Sequence, residues 1–418
     1  MSVIFGARGA AFACLAMIFV ARPLSAEELS LGQALELATA NNPTIAAGRL
    51  AADAARRSAV GARALTNPEI VVAPSVVGDA GSDSAVLFSQ PLEINGSRRV
   101  RGEIASHEAT AAGLDAEAKA REVLLRVGQA YWDVARAQEL VKLNQDNLQY
   151  LETIRGAVQK QYDVGTAPGS QILKMDVELA RARQEFARAE LDLSASKAEL
   201  ANLIGRHSNT EFTVSEPLAF QNIALDRNAL KIAALANRPE VKSAQSQVAA
   251  AGGQVKAARL RRAPDLALQA RRETFDPGSD GGVAIAVSLP LLDWGSVRAD
   301  EKGAAARVQS LEKQLEATKN EVALEVELAV QRESTASRIV RDYQGEILEK
   351  SEELATMARK GYEKGASSYL DVLEAQRTLR SVRSEYYSAL AEHAKALTQL
   401  DWAVGSPVSR KDNMEVKR

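Results

Sequence analysis

Residues able to do chemistry are few and scattered in this chain. Its three histidines, His107, His207 and His393, stand far apart, and Cys14 is the single cysteine. A transition-metal centre needs several N or S donors at short spacing, so no resident metal site is expected. No nucleophile elbow, phosphate loop or dinucleotide fingerprint occurs, which predicts no catalytic residue, no cofactor and no enzyme activity. What remains is charge at helical spacing. Tyr369 precedes Asp371, Glu374 and Arg377; Asp371 and Glu374 lie three apart, as do Glu374 and Arg377, so each pair shares a helix face. Such residues form ion pairs or, where copies converge, a cation-favouring ring; ordinary surface pairing is the other reading. A second cluster, Arg98, Arg99 and Arg101, follows Gln90-Pro91 and Gly96. It either anchors to lipid headgroups or forms a solvated first helical turn.

The elements that must position these groups are unusually long. From Val123 the apolar positions run Val127, Ala130, Val134, Ala137, Val141, Leu148 and Leu151, with Asn144 holding one place, and continue through Arg155 and Val158 to Tyr162. This 3.5-residue repeat is the signature of a helix supercoiled on a neighbour. The helix is predicted over 96–163, about 100 Å at 1.5 Å per residue. A second copy runs Val322, Val326, Ala329, Ala336, Val340, Tyr343, Ile347, Leu354 and Met357, within a helix predicted over 295–363.

The duplication extends to the whole chain. Asn42-Pro43 recurs as Arg238-Pro239, Pro68 as Pro264, Pro91 as Pro290, Gly165 as Gly365 and Gly205 as Gly405. The offsets are 196, 196, 199, 200 and 200 residues, so each half is one unit. The predicted division is 27–217 and 218–405, followed by a tail, 406–418, in a belt around the middle. Residues 1–26 read as a secretory signal peptide: Arg8, then an apolar run from Ala10 to Val20, then Leu24-Ser25-Ala26 before Glu27. Without them the chain keeps 50 basic and 54 acidic residues and no cysteine. It is therefore an exported chain held by burial and assembly, with no signal for nucleic acid.

Each half also contains two stretches of period-2 alternation, near 68–77 and 83–92, and near 264–274 and 281–291. Strands of about ten residues suit a membrane barrel; soluble hairpins packed on helices satisfy the same alternation. If the strands are in a membrane, four cannot close, because an open edge is not tolerated in lipid and the smallest barrels have about eight strands. Three copies then share 12 strands, a homotrimer. Helices over 31–63 and 169–203 together match the long helix in length, so they stack end to end beside it.

The duplication, paired hairpins, heptad helices and tip turns together resemble the TolC-type outer-membrane efflux factors. The resemblance implies a mainly helical fold, a tube of long coiled-coil helices with a trimeric 12-stranded β-barrel. It also implies an outer-membrane location, a periplasmic adaptor and an inner-membrane RND-type pump as partners, and no enzyme. Within that family, Gln90-Pro91-Leu92-Glu93-Ile94-Asn95-Gly96-Ser97-Arg98 resembles the QP-x-E-x-GG-K-R stretch of the Czc-type subunits serving heavy-metal cation pumps, with Asn95 and Ser97 departing from it. Gln90, Pro91, Gly96, Arg98, Arg99 and Pro290 then mark the junction of barrel and helix. The tips at 163–169 and 363–368 are implied to meet the adaptor through Tyr162, Gly165, Thr166 and Ser170, and through Tyr362, Gly365, Ser367 and Ser368. Tyr369, Asp371, Glu374 and Arg377 become the candidate periplasmic gate. A drug-efflux or type I secretion conduit shares the fold, and a soluble periplasmic scaffold also accounts for the heptads and the leader.

Overall fold

The computed structural model describes residues 27–74, 84–166, 168–207, 211–275, 278–290 and 292–408. The signal peptide with Cys14, the expected strand ends 75–77, 83 and 291, and tail residues 409–418 lie outside them.

The first half opens with β1 (Glu27–Leu29) and α1 (Leu31–Asn41). Ser30 starts α1 with a reciprocal cap: its Oγ accepts from Gln33 N at 3.2 Å, and Gln33 Oε1 accepts from Ser30 N at 2.9 Å. Pro43 then ends one helix and begins the next, α2 (Pro43–Ala62), with Asn42 as the cap between them. Strands β2 (Glu69–Pro74) and β3 (Ser84–Leu92) lead into α3 (Ser97–Asp163), 67 residues without a break. Helix α4 (Gly169–Leu203) returns along it, and β4 (Phe212–Val214) pairs in parallel with β1 at mid-height.

The second half repeats the plan: α5 (Arg227–Asn237), α6 (Pro239–Leu260), β5 (Asp265–Phe275), β6 (Gly278–Ser288), α7 (Ser296–Asp342), α8 (Leu348–Glu363) and α9 (Tyr369–Val404). Two expectations need correction. Strand β6 begins at Gly278 and ends at Ser288, earlier than 281–291. Backbone pairing of Ser279 with Thr274, and of Gly281 and Gly282 with Arg272 and Arg271, extends the ladder where side-chain propensity is weak. The second long helix is not uniform either: a π-helical turn, Tyr343–Ile347, separates α7 from α8.

That turn corrects the heptad reading. Ile347, Leu354 and Met357 were expected on the seam with the neighbouring helix, yet they are 41%, 48% and 63% exposed. Ser351 and Ala358 are buried against α9 instead. A π turn holds one residue more than an α turn, so the seam moves round by one position below it. The two halves measure the insertion directly: Gly96 and Gly295 are 199 apart, whereas Gly165 and Gly365 are 200 apart.

The strands form one antiparallel sheet in the order β2-β3-β5-β6. Its register gathers Ile70 and Val72, Val86 and Phe88, Leu266 and Leu268, and Val283, Ile285 and Val287 on one face. The opposite face is mostly small or polar, with Ala73, Ser89, Gln269, Ala284, Ala286 and Ser288, and carries Val71 and Leu87 as its large apolar members. The apolar face is exposed within the chain. The core instead lies at mid-height, where α1, α3, α4 and β4 bury Val127, Tyr131, Val134, Leu200 and Phe212. Each fully buried side chain of this size contributes about 1.5–3 kcal/mol. Tyr131 spends its hydroxyl in that core, donating to Leu29 O at 3.0 Å and accepting from Glu216 N at 3.1 Å. Among the described residues, no helix is long and apolar enough to cross a membrane.

Candidate docking tips, gate and membrane junction

The two tips are built alike. At the first, Thr166 N donates to Gln161 O at 2.9 Å and Gly165 N to Tyr162 O at 2.9 Å. At the second, Ala366 N donates to Gly361 O at 2.8 Å and Gly365 N to Tyr362 O at 3.0 Å. These paired bonds close the helix ends and require a left-handed residue, which Gly165 (φ 78°) and Gly365 (φ 76°) supply. Tyr162, Thr166, Ser170 and Ser368 are exposed at the tips, with Tyr362 and Ser367 half-buried. Tyr362 ties the tips together, its hydroxyl donating to Gln161 Oε1 at 2.9 Å.

The four candidate gate residues do not pair among themselves. Asp371 serves the cap of α9: its Oδ2 accepts from Ser368 N at 2.7 Å, and its own N–H donates to Ser368 Oγ at 3.2 Å. The bond from the Ser368 backbone N–H, with the Ser368 side chain beside it, holds its carboxyl below the usual range. Glu374 is exposed. Arg377 reaches across to α4, where its Nε donates to Glu178 Oε2 at 3.2 Å. Tyr369 is 4% exposed, packed with Leu151, Val158, Met175 and Leu179. Its buried hydroxyl has no hydrogen-bond partner among the described residues. Burial first, then the nearby Glu178, pushes its phenol pKa up. One turn further along, Arg380 binds Glu185 and also donates to Asn144 Oδ1 at 3.3 Å. Gln161, Glu178 and Glu185 were not singled out in the sequence, although Glu178 lies one residue from repeat equivalence with Arg377.

At the junction, Gln90 Nε2 donates to Thr66 O at 2.8 Å, which satisfies an amide on the apolar face of the sheet. Arg101 is a structural splice rather than a headgroup ligand. It donates to Ala62 O at 2.8 Å and Ala64 O at 3.0 Å, and it binds Glu93, whose carboxyl it holds low. Arg99 Nε pairs with Glu103 Oε1 at 3.0 Å, and Arg98 is exposed. Pro91 is half-buried within β3, opposite Ala267, Pro290 is exposed, and Gly96 caps α3.

A further polar cluster lies inside the belt. His393 is fully buried, 3.4 Å from Ser337 Oγ through Nδ1 and 3.1 Å from Gln221 O through Nε2. Ser337 donates to the buried Glu333 at 2.6 Å. Burial lowers the His393 pKa despite the attraction of Glu333. This lone histidine gave no sequence signal, because its partners come from another helix and a loop. Among the described residues no group of three or more His, Cys, Asp or Glu side chains is arranged to hold a metal ion.

The chain matches the family described as outer membrane efflux protein over two segments, residues 34–206 and 232–406. The cobalt-zinc-cadmium resistance protein CzcC of Cupriavidus metallidurans is 26% identical over 394 residues, 91% of either chain. The solvent efflux pump outer membrane protein SrpC of Pseudomonas putida is 27% identical, over 57% of this chain and 52% of that one. Among solved structures, the open state of the Neisseria gonorrhoeae MtrE outer membrane channel superposes with a TM-score of 0.77 at 19% identity. That match covers 90% of this chain and 89% of the other.

Proposed function

The chain belongs to the outer membrane efflux protein family, and from that premise we propose that it is the homotrimeric outer-membrane conduit of a heavy-metal cation efflux system. Its fold is that of the outer-membrane channels, with strands in the outer membrane and a helical tube in the periplasm. One observation carries the trimer. The outermost helices of the protomer each carry a second, uncovered seam at 3.5-residue spacing. On α4 it runs Leu173, Val177, Ala180, Gln184, Ala187 and Leu191; on α7 and α8 it includes Leu324, Leu328, Ile339, Ile347, Leu354 and Met357. Such seams fit helix on helix, so α8 of one copy meets α4 of the next. The same closure pairs the free edges of β2 and β6 and completes 12 strands.

In that assembly the exposed tips around Gly165 and Gly365 dock a periplasmic adaptor, which connects the tube to an inner-membrane RND-type pump. Residues Tyr369 to Arg377 line the periplasmic end and hold it closed. Support for metal cargo comes from the Gln90–Arg99 stretch and from end-to-end similarity to CzcC. Deleting the gene tests it: cells should become sensitive to divalent or monovalent transition metals. Unchanged metal tolerance together with new sensitivity to solvents or drugs favours the second reading, which the likeness to SrpC supports.

A further inference from the structure

We propose that Trp294, with Arg298 and Lys302 beneath it, is a lipid anchor that seats the base of the barrel on anionic phospholipid of the inner leaflet. The proposal rests on the outer-membrane placement above. Trp294 is 92% exposed and sits in the left-handed region at φ 50°, alone among described non-glycine residues. A bulky side chain rarely adopts that conformation. The turn itself does not ask for tryptophan. Asp293 closes it, its Oδ1 accepting from Gly295 N at 3.1 Å and its carbonyl from Ser296 N at 2.8 Å.

The corresponding turn of the first half is built differently and carries no such group. At the 199-residue offset, Trp294, Arg298 and Lys302 correspond to Asn95, Arg99 and Glu103. Asn95 is tied down, accepting from Ser97 N at 3.0 Å and donating to Asp265 at 3.3 Å, and Arg99 is neutralised by Glu103 at 3.0 Å. In the second half Lys302 replaces that glutamate. Arg298 and Lys302 are exposed, with no ion-pair partner among the described residues. Spacing of four puts the two cations on one side of the helix, which begins two residues after the indole.

Position identifies the occupant. The last ladder pair is Asp265 with Ser288; beyond it Leu289 keeps the parity of the apolar face of β6, and Leu292 and Trp294, also exposed, follow in the loop before α7. The sheet thus leaves the hydrocarbon where the indole emerges, the boundary at which an apolar ring with one N–H donor is favoured. Cations one and two turns below reach back to phosphate along their apolar stems.

The test uses the purified full-length protein in phosphatidylethanolamine–phosphatidylglycerol vesicles whose acyl chains are brominated at shallow or deep positions. The chain has three tryptophans, and Trp132 and Trp402 lie partly buried at mid-height. Shallow bromines should quench wild-type fluorescence, and Trp294→Phe should lose that component. Arg298→Gln with Lys302→Gln should weaken it in phosphatidylglycerol-rich vesicles, and salt should reproduce the loss. Equal quenching of wild type and Trp294→Phe overturns the anchor, as does blue-shifted Trp294 emission that lipid bromines never quench, which would mean a second copy covers it. Conductance read in the same vesicles separates the two readings: conducting channels without Trp294-dependent quenching sink the anchor and leave the conduit standing.

Discussion

Arg377 on α9 donates to Glu178 on α4, 199 residues away, and not to Glu374 one turn along its own helix. The bond therefore joins the two halves of the chain at nearly equivalent positions. Beside it lies the buried hydroxyl of Tyr369, without a hydrogen-bond partner among the described residues. In the proposed gate, removing either partner should loosen the tip.

Arg377→Ala should raise the conductance of the isolated protein in planar bilayers, and Glu178→Gln should do the same. Asp371→Ala should act differently, because Asp371 caps α9: it should cost about 1 kcal/mol of helix stability with a smaller change in conductance. Wild-type conductance in both Arg377→Ala and Glu178→Gln removes this pair from the gate.

Gly165→Leu and Gly365→Leu force a left-handed residue to carry a branched side chain, at about 1–2 kcal/mol each. Both positions are exposed, and no atom lies within contact distance of an added Cβ, so the fold should survive. Efflux should fail through lost adaptor binding while trimers persist. Pull-down of adaptor at wild-type yield would contradict a docking role.

Leu354→Lys combined with Met357→Lys tests the seam between copies. Both side chains are about half exposed or more in the single chain, so helicity should be retained. Mass measurement in detergent should show monomer. Ala358→Lys, buried against α9, should instead lower the thermal midpoint, which separates misfolding from failed assembly. A stable trimer in the double variant would place the interface elsewhere.

His393 sets a pH dependence. Burial lowers its pKa below the ordinary 6.5, so the unfolded chain binds a proton that the folded chain resists. Stability should therefore fall as pH drops through the unfolded value and level off below the folded one. Glu333 is the facing carboxylate, with Ser337 and Gln221 completing the surroundings. The stability gap between wild type and His393→Asn should narrow from about pH 8 to about pH 5.5. A constant gap would mean that this histidine does not titrate with unfolding.

The fold was legible because its signals are long: a heptad run through Val123–Tyr162 and paired prolines at 43 and 239 survive local noise. The inner seam below Tyr343 was misread for a definite reason. Ile347, Leu354 and Met357 are more apolar than Ser351 and Ala358, so counting apolar residues chose the outer face. The change of repeat offset from 199 to 200 records the extra residue, but only backbone geometry places it at Tyr343–Ile347. At the tips, the glycines announced their turns, whereas Glu178 and Gln161 did not announce theirs. Their partners are about 200 residues distant, and a single charged residue on an exposed helix carries no direction.

The π turn at Tyr343–Ile347 also bears on symmetry. Three identical chains, each with two matching hairpins, would ring the tube entrance with six equivalent hairpins and a near-hexagonal outline. One inserted residue lengthens every second hairpin and turns its outer face relative to its neighbour. In the proposed trimer the ring would alternate two kinds of site, and an adaptor that recognises one kind of hairpin would find three seats, not six.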